Sequence, residues 1–270
     1  TTIIISKKYM NKINLQHIEN IICIMRNLSN NSRKLTINIW NTNYKKELPH
    51  QCSKIKPENI NSGSTLPGEF INLWRQEELY KVLIHELIHT FSLDFRDNDN
   101  LIYNYIRNNY NITTESPVYI WESYTEFLAI IIHSIYMSKT FQQAINLISI
   151  EKYFNYLQCA KFLNHFKCGS VNDLENKHCI LSYKTDVFSY FFIKTALLHS
   201  LDESVNFMIN NNTNLINFEQ DTLPIFLNLI TKITNNSKFI NNINKYIQLL
   251  YDIKDNILKK TFRMSIIELK

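Results

Sequence analysis

Hydrophobic and polar positions along this chain change rhythm after about residue 75. Before that point the pattern is mixed. Residues 15–27 repeat their apolar side chains at helical spacing, while 34–40 (Lys-Leu-Thr-Ile-Asn-Ile-Trp) alternate and are β-branched, which predicts a strand. A polar loop carrying Pro49, Pro57, Gly63, Pro67 and Gly68 follows, and 69–74 (Glu-Phe-Ile-Asn-Leu-Trp) predict a second short strand. Beyond it the helical period dominates, over 77–93, 117–137, 141–166, 185–201, 223–234 and 239–258. The Asn-rich stretches 206–217 and 235–244 read as loops or helix starts, and no internal repeat is evident. The expectation is an α+β protein, mainly α. A small sheet-containing lobe would span 1–95 and an α-helical lobe 96–270, with a cleft between them.

The helix over 77–93 places Leu79, Tyr80, Leu83, Ile84, Leu87 and Phe91 on one face, the stripe that a core-packed helix requires. The opposite side carries the two histidines of His85-Glu86-Leu87-Ile88-His89, flanked by Val82 and Ile88. At 3.6 residues per turn, His85 and His89 stand one above the other, close enough for both imidazoles to reach one ion. Glu86 sits about 100° round the helix, beside such an ion rather than on it, where it can take a proton from water. H-E-x-x-H on a helix is the pattern of zinc metallopeptidases, and a catalytic zinc takes three protein ligands. The longer pattern with a Gly and a third His is excluded, since Ser92 and Phe95 stand at those positions. In the predicted helix over 117–137, Ser116 suits the N-cap and Pro117 the first turn. Glu122 and Glu126 then share a face at i, i+4, a repulsive pair on a plain surface but an intelligible one beside a cation.

His85-Glu86-Leu87-Ile88-His89 followed by Trp121-Glu122-Ser123-Tyr124-Thr125-Glu126-Phe127-Leu128-Ala129 resembles the gluzincin branch of the HExxH metallopeptidases. The resemblance covers these two helices. It implies a zincin-like fold, a bound Zn2+, hydrolysis of a peptide or protein substrate, and Glu86 as the base. It also implies Glu122 as the third ligand and Glu126 as the outer support of a histidine. The reverse assignment stays open, because the segment from Thr125 to Ala129 also resembles ligand-bearing segments of some relatives. Asp94, Asp97 and Asp99 are lesser rivals in the loop after His89. The strand over 69–74 would hold the substrate backbone. An oxyanion needs a further donor, for which Tyr119, Tyr124, Tyr183 and Tyr190 are candidates. Two other readings remain: a catalytically silent zincin-like binding or structural protein, and a zinc hydrolase acting on a non-peptide substrate.

Composition narrows the alternatives. The 270 residues suffice for a sizeable core, and the net charge of +5 is modest with its lysines dispersed. Lys259, Lys260 and Arg263 form the one dense basic group and read as a solvated helix end, so no nucleic-acid partner is expected. Three glycines leave little room for a phosphate loop, and no Gly-x-Ser-x-Gly elbow exists. Abundant Asn, Ile and Lys give the bias of an AT-rich genome, such as that of a large DNA virus or an intracellular parasite. The five cysteines (Cys23, Cys52, Cys159, Cys168, Cys179) are odd in number and scattered, which reads as free thiols in a reducing compartment. His165, Cys168, His178 and Cys179, with Cys159 near, could form a structural zinc site but lack paired C-x-x-C knuckles. No apolar run reaches membrane length and the N-terminus shows no signal-peptide pattern. The expected setting is therefore intracellular: cytoplasm, host cytoplasm or virion.

Overall fold

Alternation in the first third of the chain builds a four-stranded sheet. The computed structural model describes residues 1–94, 105–106, 109–110, 112–114, 118–176, 178–211 and 222–268. β1 (Thr2–Ile5), β2 (Thr36–Thr42), β3 (Gly63–Leu66) and β4 (Phe70–Arg75) take the order β1-β2-β4-β3. The first two strands and β4 are parallel, with Ile37 opposite Ile71 and Ile39 opposite Leu73. β3 returns antiparallel to β4 and forms one edge. The sequence-predicted strands are β2 and β4; β1 and β3 were not anticipated. The strand over 69–74, expected to hold substrate at a sheet edge, is interior to the sheet, and β3 is the edge strand beside it.

Helix α1 (Leu15–Ser29) joins the first two strands. The Asn14 side chain caps it by accepting the amides of Gln16 and His17. Ile18, Ile21, Ile22 and Met25 are its buried stripe. The short helix α2 (Pro57–Ile60) precedes β3, and α3 (Leu79–Thr90) carries the H-E-x-x-H residues. The last of these is shorter than its periodicity suggests. Glu78 just before it is left-handed (φ 60°) and Ser92 just after it likewise (φ 55°). All of α3 except Tyr80 is buried, so it is a central helix and not merely a two-faced one. It packs against α1, β3, β4 and α4 (Trp121–Tyr136). Leu83, Ile84, Leu87 and Ile88 are fully buried, each worth about 1.5–3 kcal/mol relative to exposure.

α4 opens four residues later than predicted. Tyr119 is not helical and donates its amide to Asp186 Oδ1 at 3.0 Å. Ser116 and Pro117, expected as cap and first turn, lie outside the described residues. The remaining elements are α5 (Phe141–His165), α6 (Asn172–Glu175), a π-helical turn over Phe188–Ile193, α7 (Lys194–His199), α8 (Leu201–Asn211), α9 (Leu223–Thr234), α10 (Ser237–Leu249) and α11 (Asn256–Lys260). The predicted helix over 185–201 is therefore a π turn running into α7, and that over 239–258 breaks after Leu249. Asn236 caps α10 through the amides of Lys238 and Phe239, so the second Asn-rich stretch is a helix start. A separate parallel pair, β5 (Ile112–Thr114) and β6 (Leu181–Tyr183), lies in the later part of the chain. Among the described residues no helix is long and apolar enough to cross a membrane.

Both halves of the chain feed one continuous apolar core. The segment after α11 threads back to the start of α3. Arg263, expected on a solvated helix end, is instead buried, with its guanidinium 3.0 Å from Glu77. The amides of Met264 and Ser265 donate to Glu78, whose carboxylate also meets Lys46. Glu268 accepts the amides of Tyr80 and Lys81 (3.1 and 2.9 Å), supplying from far along the chain the cap that Glu78 does not give α3. These contacts hold Glu78 in its costly left-handed conformation.

The cysteines are not all the free thiols that their spacing suggested. Cys168 and Cys179 form a disulfide, leaving Cys159 buried and Cys23 and Cys52 exposed as thiols. Close approach of two loop residues decides this, which scattered spacing does not reveal. The alternative zinc cluster goes with it. His165 turns its Nε2 to the Ser53 carbonyl at 2.7 Å, and His178 is exposed beside Asp173.

Candidate metal centre

His85 and His89 project from α3 onto the start of α4, where Glu122 stands in the first turn. The two Nε2 atoms lie 3.0 Å apart, with the rings edge to face at 83°. Glu122 brings Oε2 to 3.4 Å from His85 Nε2 and Oε1 to 3.6 Å from His89 Nε2. One ligand atom from each of the three residues falls within 4.8 Å of the others.

What stands behind the histidines fixes their orientation. Glu126, one turn along α4, places Oε1 2.8 Å from His85 Nδ1. Asp94, just past the end of α3, places Oδ2 2.5 Å from His89 Nδ1. A carboxylate at Nδ1 favours the tautomer that carries its proton there, leaving the Nε2 lone pair free. Two Nε2 atoms and a carboxylate then converge on one point, where the charge of Glu122 is balanced either by protons on the imidazoles or by a cation that takes their place. The donor set fits a zinc-like divalent ion with a remaining open position. Glu122 and Glu126 thus take different places: the former faces both Nε2 atoms, and the latter sits behind His85. Asp94 comes to the site as the partner of His89, at the back of the ring; Asp97 and Asp99 lie outside the described residues.

Charge around the centre is arranged in a buried chain. Lys81 donates to both Glu126 oxygens (2.6 and 2.8 Å), and Lys194 lies 3.3 Å from Oε2. Burial alone would raise the Glu126 carboxyl, but these lysines and His85 hold it well below the ordinary carboxylate range. For His89, burial pulls downward, and the charge of Glu122 with the Asp94 hydrogen bond raises it well above the usual imidazole value. The same opposition, with Glu122 and Glu126 as partners, leaves His85 raised.

A cavity of about 390 Å³ opens on these residues. Glu86 lines it, with Oε2 accepting the Thr65 hydroxyl at 2.6 Å from β3. Gly63 in the same strand has a physical reason to be glycine: an added Cβ would lie 2.6 Å from Glu86 Oε1. Of the four tyrosines named from sequence, Tyr119 and Tyr190 line this cavity. The Tyr190 hydroxyl, from the π-helical turn, donates to Glu122 Oε2 at 3.2 Å; π turns recur at functional sites. Tyr124 instead packs against Phe226, and Tyr183 is buried elsewhere. Asp186 also lines the cavity, and burial together with the charge of Glu122 pushes its carboxyl up to about 8.

Sequence reasoning missed Gly63, Thr65, Lys81, Lys194 and Asp186. A glycine in a Pro-rich loop and lysines on apolar helices carry no local signal; Asp94, named only as a lesser ligand rival, could have been placed behind His89 by asking what holds Nδ1. Comparison with protein families, curated proteins and solved structures finds no match to this chain.

Proposed function

We propose that this chain is a zinc-dependent metallopeptidase of the gluzincin type on a zincin-like fold, with His85, His89 and Glu122 holding the ion. When bound there, zinc supplies a Lewis acid and makes a water nucleophile available near neutral pH. The observation that carries the reading is the convergence of two carboxylate-backed imidazoles and Glu122, with Glu86 beside them in one cavity.

Each protein group then has a role set by its surroundings. Thr65 holds one oxygen of Glu86, leaving the other to take the proton of the attacking water and pass it to the leaving amine. Tyr190, whose hydroxyl donates to Glu122, would turn toward the oxyanion. The β3 edge offers backbone groups along the cavity, which an extended peptide would meet as an added strand. Lys81, Lys194 and Asp94 do no chemistry; they keep the carboxylates charged and the imidazoles aimed.

Zinc stoichiometry in the purified protein and two variants tests the ligand set. One zinc per chain is expected, lost in Glu122→Ala and retained with affinity about 10–100-fold weaker in Glu126→Ala. No zinc in the metal-replete wild type would refute the reading, and reversed variants would move the ligand to Glu126.

A further inference from the structure

One carboxylate in the cavity has no part in holding an ion or moving a proton. Asp186 is half-buried in the wall, with Oδ1 accepting the Tyr119 amide and its carbonyl accepting the Tyr190 amide at 2.9 Å. This fixes it one helical turn before Tyr190, whose hydroxyl reaches Glu122. A helical turn rises about 5.4 Å, and consecutive Cα atoms of a peptide lie about 3.8 Å apart. Asp186 thus shares a wall with Tyr190 in the cavity that His85 and His89 also line, where it can meet groups of a ligand seated over the histidines.

The wall offers this carboxyl, raised by burial and by Glu122, no cation that would hold it ionised. Among the described residues no Lys or Arg acts on Asp186, and its charged neighbour is another acid, Glu122. Lys46, which also lines the cavity, is turned onto Glu78. The remaining polar wall around Asn61, Ser62, Ser64 and Thr185 is neutral. A carboxylate so placed complements a cation brought by the ligand, through a charge-assisted hydrogen bond that a neutral isostere cannot make.

We propose that Asp186 selects substrates carrying a cationic nitrogen beside the scissile bond, either a Lys or Arg side chain or a free amino terminus. The proposal rests on the peptidase reading. To test it, the zinc-loaded Glu86→Gln protein is titrated with acetylated, amidated hexapeptides holding a central Lys or its neutral isostere norleucine. The norleucine peptide is also compared with and without its acetyl group, and the wild type is assayed for cleavage of the same set.

We expect one cationic arm to bind at least about fivefold more tightly than the acetylated norleucine peptide, the arm identifying the source of the charge. In Asp186→Asn that preference should vanish while zinc content and neutral-peptide affinity persist. A smaller preference in both arms overturns the proposal without needing any Asp186 variant, as does a folded, zinc-loaded Asp186→Asn that keeps it. Preference without cleavage by the wild type would leave Asp186 standing and the peptidase reading refuted; cleavage without preference does the reverse.

Discussion

Lys81→Met tests whether the buried charges behind the metal centre hold it in shape. Lys81 is fully buried and both Glu126 oxygens lie on its ammonium, while Glu126 stands behind His85. Methionine keeps the length, the helix propensity and the apolar contacts but removes the charge. Breaking one side of a buried ion pair costs about 3–5 kcal/mol, because the orphaned charge has lost its solvent as well as its partner. Lys194 still lies 3.3 Å from Glu126, which puts the expected loss at the lower end, about 3 kcal/mol. That is a substantial share of the roughly 5–15 kcal/mol by which a domain is stable. Glu126 would also protonate more readily and release His85, so zinc affinity should fall about 10–100-fold. Urea unfolding of the metal-free protein measures the first effect and competition with a chromogenic chelator the second. The double variant Lys81→Met/Glu126→Gln should recover part of the stability but not the zinc affinity. A loss below about 1 kcal/mol, in the range of an exposed pair, with unchanged zinc affinity, would refute the reasoning.

Two further outcomes follow from the geometry. Gly63→Ala, whose methyl would press on Glu86 Oε1, should retain zinc yet lower turnover, the signature of a displaced base; unchanged turnover with zinc bound would show that Glu86 has room to move. Glu268, pushed up to about 7 chiefly by burial, binds a proton more readily folded than unfolded. Its contribution is present below about 4.5 and is lost as pH rises toward 7. Glu78, held down to about 2 against burial by Lys46 and Lys81, acts in the opposite sense: its contribution is present above about 4.5 and is lost as pH falls toward 2. Glu268→Gln should therefore flatten the decline in stability between pH 4.5 and 7, followed by urea unfolding, while an unaltered slope would contradict the assignment.

The legible part of this protein is the part written at short range. Four-residue spacing brought His85 above His89 and Glu122 above Glu126, and alternation marked two strands of the sheet. The support around them comes from distant segments: Lys81 meets Glu126 across 45 residues and Glu268 across 187. A lysine in an apolar helix reads as a solvated side chain until its partners are seen. Gly63 and Thr65 lay in what looked like a loop because a four-residue edge strand is too short for its alternation to show. Arg263 looked like one of three exposed cations, but Glu77 draws it inward while Lys259 and Lys260 stay at the surface. The start of α4, four residues later than predicted, lies just past Tyr119, whose amide Asp186 takes from across the chain.

The most direct test of the central claim compares wild type with Glu86→Gln on a peptide library, with zinc measured in the same samples. Glu86→Gln keeps the volume of the side chain and removes its capacity to accept a proton. The account predicts one zinc per chain in both proteins, equal melting temperatures, and cleavage reduced about 10²–10⁴-fold in the variant. A zinc-loaded wild type that cuts nothing the variant leaves intact would contradict it, and favour a binding protein or a hydrolase of non-peptide substrates.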